Sequence, residues 1–103
     1  MPHSVTSITQ YNEYLQKSKG LIVVKASASW CGPCRTMEPL VKSVAEKHKD
    51  VLFLSLDIDN GKELAEKLNI SAVPTFLFIK GGQVKHTQQG ATQKLEELVV
   101  KYK

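Results

Sequence analysis

The strongest constraint on the fold lies between residues 21 and 45. An apolar run, Leu21 to Val24, leads into Trp30-Cys31-Gly32-Pro33-Cys34. Apolar residues at helical spacing, Met37, Leu40, Val41, Val44 and Ala45, lead out of it. A continuous apolar run suits a central strand covered on both faces. The chain therefore passes from a buried strand directly into a helix, and its only two cysteines stand at the helix N-terminus.

That placement has chemical consequences. The first turn of a helix presents backbone N–H groups without intrahelical partners, together with a partial positive charge. Both favour a thiolate over a thiol. A free cysteine titrates at about 8.5, and a helix N-terminus or a Cys-X-X-Cys setting lowers that value. Cys31, the outer of the two, gains most and is expected to be the nucleophile. Residues i and i+3 of a helix have Cβ atoms roughly 5–6 Å apart, and a disulfide needs about 3.8 Å. A small local adjustment therefore joins Cys31 to Cys34. Pro33 lacks an N–H that the first turn would not use, and Gly32 removes a side chain from the approach to Cys31. The pair is expected to cycle between dithiol and disulfide: Cys31 attacks a client disulfide and Cys34 resolves the mixed disulfide.

Two other uses of the cysteines weigh less. A loop this short constrains little of the unfolded chain, so a purely structural disulfide gains little. A zinc site would draw on His3, His48 and His86, but there is no second Cys-X-X-Cys and the histidines lack ligand spacing.

The chain has 103 residues, sized for one domain over residues 1–103 with one core. No apolar run approaches the ~20 residues of a membrane span. Met1-Pro2-His3-Ser4 has neither the basic segment nor the apolar stretch of a signal peptide. The expected compartment is the cytoplasm, where cysteines so spaced are catalytic rather than stapling. The net charge of +4 is the one total that invites nucleic acid. Arg35 is the only arginine, however, and the lysines are scattered among acids. No nucleic-acid or membrane partner is expected.

The remaining pattern places a strand at Val5 to Ile8 and a helix capped by Thr9 and ended by Gly20. Strand Leu21 to Ser27 and the cysteine helix to about His48 follow, with Pro39 inside that helix expected to kink it by removing one hydrogen bond. Next come a strand at Val51 to Asp57 and a short helix capped by Asn60, with Glu63 in a capping box. Strand Thr75 to Lys80, a Gly81-Gly82 hairpin turn, strand Val84 to Gln89 and a helix capped by Thr92 complete the chain. The order βαβαβαββα predicts an α/β fold.

Trp30-Cys31-Gly32-Pro33-Cys34, Val73-Pro74-Thr75 and Gly90-Ala91, at these separations, resemble the thioredoxin family over nearly the whole chain. The resemblance implies a central five-stranded mixed sheet flanked by four helices in three layers. It implies a protein-disulfide reductase, with Cys31 attacking and Cys34 resolving. Pro74 would be a cis-proline facing the cysteines. Val73 would offer its backbone to an extended client segment, and Trp30, Gly90 and Ala91 would complete the docking groove. The protein would act as a monomer on disulfide-containing clients. A flavoprotein thioredoxin reductase using NADPH would recharge it, and the domain itself would bind no cofactor. A disulfide oxidant or isomerase would need an oxidising compartment. A binding module would use the same groove without turnover.

Three positions depart from the family pattern. Lys25 stands where a buried Asp is usual, Ser27 where an aromatic residue is frequent, and Glu38 precedes the helix proline. The usual role of the Asp in moving the proton of the resolving cysteine does not carry over. A lone buried ammonium is expensive. Either the long Lys25 stem carries its ammonium to water, or Glu38, one turn beyond Cys34, pairs with it; a pair within ~4 Å is expected. That pair is expected to support the active site, with Glu38 or a neutral Lys25 accepting the Cys34 proton.

Overall fold

A computed structural model describes residues 2–103. The elements run β1 (His3–Ser4), α1 (Ile8–Lys17), β2 (Ile22–Ser27), α2 (Gly32–Lys47), β3 (Leu52–Asp57), α3 (Lys62–Lys67), β4 (Thr75–Lys80), β5 (Gln83–Gln89) and α4 (Leu95–Tyr102). The strands form one mixed sheet in the order β1-β3-β2-β4-β5, with β2 at the centre. It pairs parallel with β3 and antiparallel with β4. The expected α/β architecture, a five-stranded mixed sheet with four helices, is the one observed.

Alternation along the strands divides the core in two. Val23, Phe53, Phe76 and Phe78 face α2 and α4, where they meet Met37, Val41, Val44, Leu95 and Val99. Ile22, Val24, Leu54, Leu56, Leu77 and Ile79 face α1 and α3, meeting Tyr11, Leu64 and Ala65. Strands buried on both faces read as unbroken apolar runs, which is why β2 and β4 are so visible in the sequence. No helix among the described residues is long and apolar enough to cross a membrane.

The structure differs from the sequence reading mainly at the first strand and at the helix caps. β1 is His3–Ser4, not Val5 to Ile8: Val5 is fully buried, and the chain turns immediately after it. Ser7 rather than Thr9 caps α1, accepting from the Gln10 N–H at 3.1 Å, while Gln10 Oε1 accepts from the Thr6 N–H at 2.8 Å. This is a variant of the reciprocal Ser-x-x-Gln box. The same helix stops at a Ser18 cap, two residues before Gly20. α2 runs on through Pro39 without interruption.

Gly61, not Asn60, is the cap of α3, and no side chain bonds there. The reason is steric. A Cβ on Gly61 would lie 2.7 Å from Leu56 Cδ1 and 3.1 Å from the Thr6 carbonyl oxygen. The backbones of the β1–α1 and β3–α3 connections meet at this glycine. The Asn60 N–H instead donates to Asp57 Oδ1 at 3.4 Å. At the far end, Gly81 and Gly82 take φ of +62° and +77°, the left-handed pair that a two-residue hairpin needs.

A polar cluster ties the end of α2 to α4. His48 Nε2 donates to Glu96 Oε2 at 2.9 Å. Lys103 Nζ donates to His48 Nδ1 at 2.9 Å and reaches Asp50 at 3.1 Å. An ammonium can only donate, so Nδ1 accepts and the ring proton sits on Nε2.

Two tests follow from this packing. Gly61→Ala is expected to destabilise by about 1–3 kcal/mol, the usual range for overpacking, read as a lower urea midpoint at unchanged slope. The second concerns Glu96, whose carboxyl is held below its usual range first by the His48 hydrogen bond and then by Lys47. A carboxyl depressed on folding stabilises above its unfolded pKa, and that contribution is lost as pH falls through the folded value. Glu96→Gln should therefore lower the Tm slightly at neutral pH. Melting curves of variant and parent should converge as the pH drops through the carboxylate range.

Candidate active site

The site is built on the first turn of α2. Cys31 is the N-cap, with extended backbone, and its Sγ accepts from the Cys34 N–H at 3.2 Å. One of the helix's orphan donors is thus spent on sulfur. The two cysteines are disulfide-bonded, with Cα atoms 5.3 Å apart. Gly32 and Pro33 are exposed in the turn between them. Cys31, expected to be the more open thiol, is 5% exposed against 2% for Cys34. Both pack with Ala28 against the partly buried Ile58 and Val73. The asymmetry between them is therefore one of position on the helix more than of exposure.

Three connections converge on this pair. Trp30 precedes it and is 66% exposed, and its indole Nε1 donates to Asp59 Oδ2 at 3.0 Å. Asp59 is itself placed by an Asx turn, its N–H donating to Asp57 Oδ1 at 2.9 Å. Arg35 Nη1 donates to the Ser29 carbonyl at 2.6 Å and ties the loop before Trp30 to the helix. On the other side, the Val73–Pro74 peptide is cis and Pro74 is buried. The Gly90 N–H donates to the Pro74 carbonyl at 2.8 Å, and Gly90 has φ of +85°, where glycine is favoured. Ala91 follows, exposed.

Asp59, Ile58 and Ala28 were not singled out in the sequence. The run Asp57-Ile58-Asp59-Asn60 after a strand does signal an Asx turn. The bond from Trp30 to Asp59 spans 29 residues, and no local pattern announces it.

Lys25 does not make the expected ion pair. Among the described residues the Lys25 ammonium and the Glu38 carboxylate do not come within 4.0 Å, and no side-chain hydrogen bond of Lys25 is formed. Lys25 is 9% exposed and shares the β2 face of Val23, toward α2, flanked in the ladder by Ser55 and Phe76. Its side chain lines an open cleft with Cys34, Glu38, Ser27 and Asp57. Glu38 is exposed at the rim, where water solvates the carboxylate without a partner. The histidines weighed for zinc are engaged elsewhere: His3 stacks on Tyr14, His86 on Tyr102, and His48 binds Glu96.

Comparison with known proteins agrees with this geometry. A family model described as Thioredoxin matches residues 3–102. Thioredoxin H3 of Arabidopsis thaliana is 39% identical over 97 residues, covering 94% of this chain and 80% of that protein. A thioredoxin of Ophiophagus hannah is 38% identical over 100 residues, covering 95% of each. The X-ray structure of Fasciola hepatica thioredoxin superposes with a TM-score of 0.95 at 36% identity, over 98% of this chain and 99% of that one.

Trp30 is the only tryptophan, so its emission reads the neighbouring pair. A disulfide quenches a nearby indole, and fluorescence is expected to rise on reduction. Asp59→Ala removes the bond that holds the ring, and the redox-dependent change should shrink. An emission spectrum indifferent to reductant would place Trp30 away from the pair.

Proposed function

The chain belongs to the thioredoxin family, and from that premise we propose that it works in the cytoplasm, drawing electrons from an NADPH-dependent thioredoxin reductase. It is a thiol–disulfide oxidoreductase that reduces protein disulfides. The observation that carries the chemistry is the Cys31–Cys34 disulfide capping α2.

The geometry orders the steps. In the dithiol, a Cys31 thiolate at the N-cap is stabilised by the Cys34 N–H and the helix terminus. It attacks one sulfur of a client disulfide, forming a mixed disulfide and releasing the other client sulfur as thiolate. Cys34, one turn deeper, then loses its proton and attacks Cys31 Sγ. The Cys31–Cys34 bond closes and the second client thiolate leaves.

Docking uses the surface around the pair. Val73 lies outside the β4 ladder, which starts at Thr75, and packs on the cysteine cluster. We assign its backbone to pairing with an extended client segment, with Trp30, Pro74, Gly90 and Ala91 bounding the groove. The client segment thus adds a short strand where the sheet stops. The working unit in this reading is a monomer, and the flavin and NADPH belong to the reductase.

Insulin reduction with NADPH and a thioredoxin reductase tests chemistry and recharging together. Turnover with the reductase is expected. Turnover with dithiothreitol alone would keep the reductase activity and discard this electron donor. No turnover with either would leave a binding module. The roles of the cysteines are separable by trapping: Cys34→Ser should accumulate a mixed disulfide through Cys31, and Cys31→Ser should trap almost none.

A further inference from the structure

Cys34 poses a problem that the helix terminus does not solve. Its backbone N–H serves Cys31 Sγ, not its own sulfur. At 2% exposure its thiolate would form with little water around it, and burial disfavours the charged form. Resolution of the mixed disulfide nevertheless requires that thiolate. Its stabilisation must come from a charge facing it.

The cleft beneath Cys34 holds four charged side chains. From α2 come Arg35 and Glu38, from β3 Asp57, and from β2 Lys25. An adjoining cleft, also lined by Lys25 and Glu38, adds Lys42. Arg35 is exposed and tied to the Ser29 carbonyl, and Glu38 and Lys42 are exposed. Asp57 uses Oδ1 to hold the N–H groups of Asp59 and Asn60. Lys25 alone of these is buried, on the sheet face under the helix, and its backbone is fixed by ladder neighbours on both sides. Partly buried charges are screened less than exposed ones, so of the cations lining the cleft with Cys34 the field of Lys25 is the less damped.

We propose that Lys25 is a positioning residue for the second half of the exchange, its ammonium stabilising the Cys34 thiolate that resolves the mixed disulfide. This rests on the reductase reading above and adds the source of the field at the resolving sulfur. The step balances without a buried base. The Cys34 proton passes to water in the cleft, the thiolate forms the bond to Cys31 Sγ, and the client sulfur leaves with the electron pair and is protonated in solvent. Lys25 takes no part in the proton transfer.

An opposite charge beside an ionising group shifts it by about one unit or more. Losing one unit of stabilisation cuts the thiolate fraction below its pKa about tenfold. Intrinsic nucleophilicity rises with pKa and returns about threefold of that, leaving resolution about threefold slower.

The test uses the full-length dithiol protein and dithiobis(nitrobenzoate), which releases one coloured thiolate on attack by Cys31 and a second on resolution by Cys34. In Lys25→Met the second phase should be about threefold slower at neutral pH. The midpoint of its pH profile should move up by about one unit, with the first phase unchanged. Lys25→Arg, which keeps the charge, should restore the profile. If Lys25→Met does not fold, Lys25→Gln carries the same comparison at similar length. A folded neutral variant with an unshifted second phase overturns the proposal, as does Lys25→Arg behaving like Lys25→Met. Wild-type failure in the insulin assay would reject the reductase reading and leave these two phases to be judged separately.

Discussion

The bond from the Cys34 N–H to Cys31 Sγ is the contact on which the rest of the site depends. A helix leaves its first four N–H groups without intrahelical partners, and most helices satisfy one with an oxygen from Ser, Thr, Asp or Asn. Here sulfur occupies the cap. An N-cap that is also the nucleophile couples stability to redox state, because the sulfur accepts more strongly as a thiolate than as a thiol or a disulfide. The residues around it hold α2 and the loop before it in register for that bond. Arg35 anchors Ser29, Asp59 anchors Trp30, and Met37, Val41 and Val44 fix the helix on the sheet.

Sheet topology explains why distant residues meet there. Ser27 stands opposite Asp57, Ala26 opposite Thr75, and Thr75 opposite Gln89. β2 and β3 end at this line, β4 starts from it and β5 returns to it. Ala28, Ile58, Pro74 and Gly90 are the residues immediately beyond it. A ligand site at the carboxyl ends of parallel strands is the general outcome in open α/β sheets. The antiparallel β4 adds its own beginning to the same edge, which is how Val73 comes to pack on a pair more than 35 residues earlier in the chain.

Legibility followed the range of each interaction. β2, β4, α2 and the hairpin glycines were readable because burial on two faces, helical spacing and positive φ each leave a local mark. The caps of α1, α3 and α4 lie one or two residues away from the positions that the sequence pattern suggests, Ser7 for Thr9, Gly61 for Asn60 and Lys94 for Thr92. At α1 the Ser7-x-x-Gln10 box prevails over Thr9. At α3 the deciding fact was a backbone approach between Thr6 and Gly61, which no local pattern records. The cysteines and their helix needed only short-range logic. The docking surface at Val73, Pro74 and Gly90 was reached through family resemblance, and Asp59 was missed because it acts across the fold.

Lys25 shows where a sound local rule yielded the wrong contact. A buried ammonium is costly alone, so a carboxylate partner was expected four residues beyond Cys34. The rival reading of the same sequence fits better, because a lysine is a hydrocarbon stem with a charged end that can reach water. Burying the stem contributes roughly 0.8 kcal/mol per methylene, and the end needs only a path to water. The cleft under α2 supplies that path, and the flanking Ser55 and Phe76 leave the stem in the sheet. Had the ammonium closed on Glu38, much of its field would have been neutralised locally. Left open, the charge acts on whatever ionises next to it, and the only buried ionisable group lining that cleft besides Lys25 is Cys34.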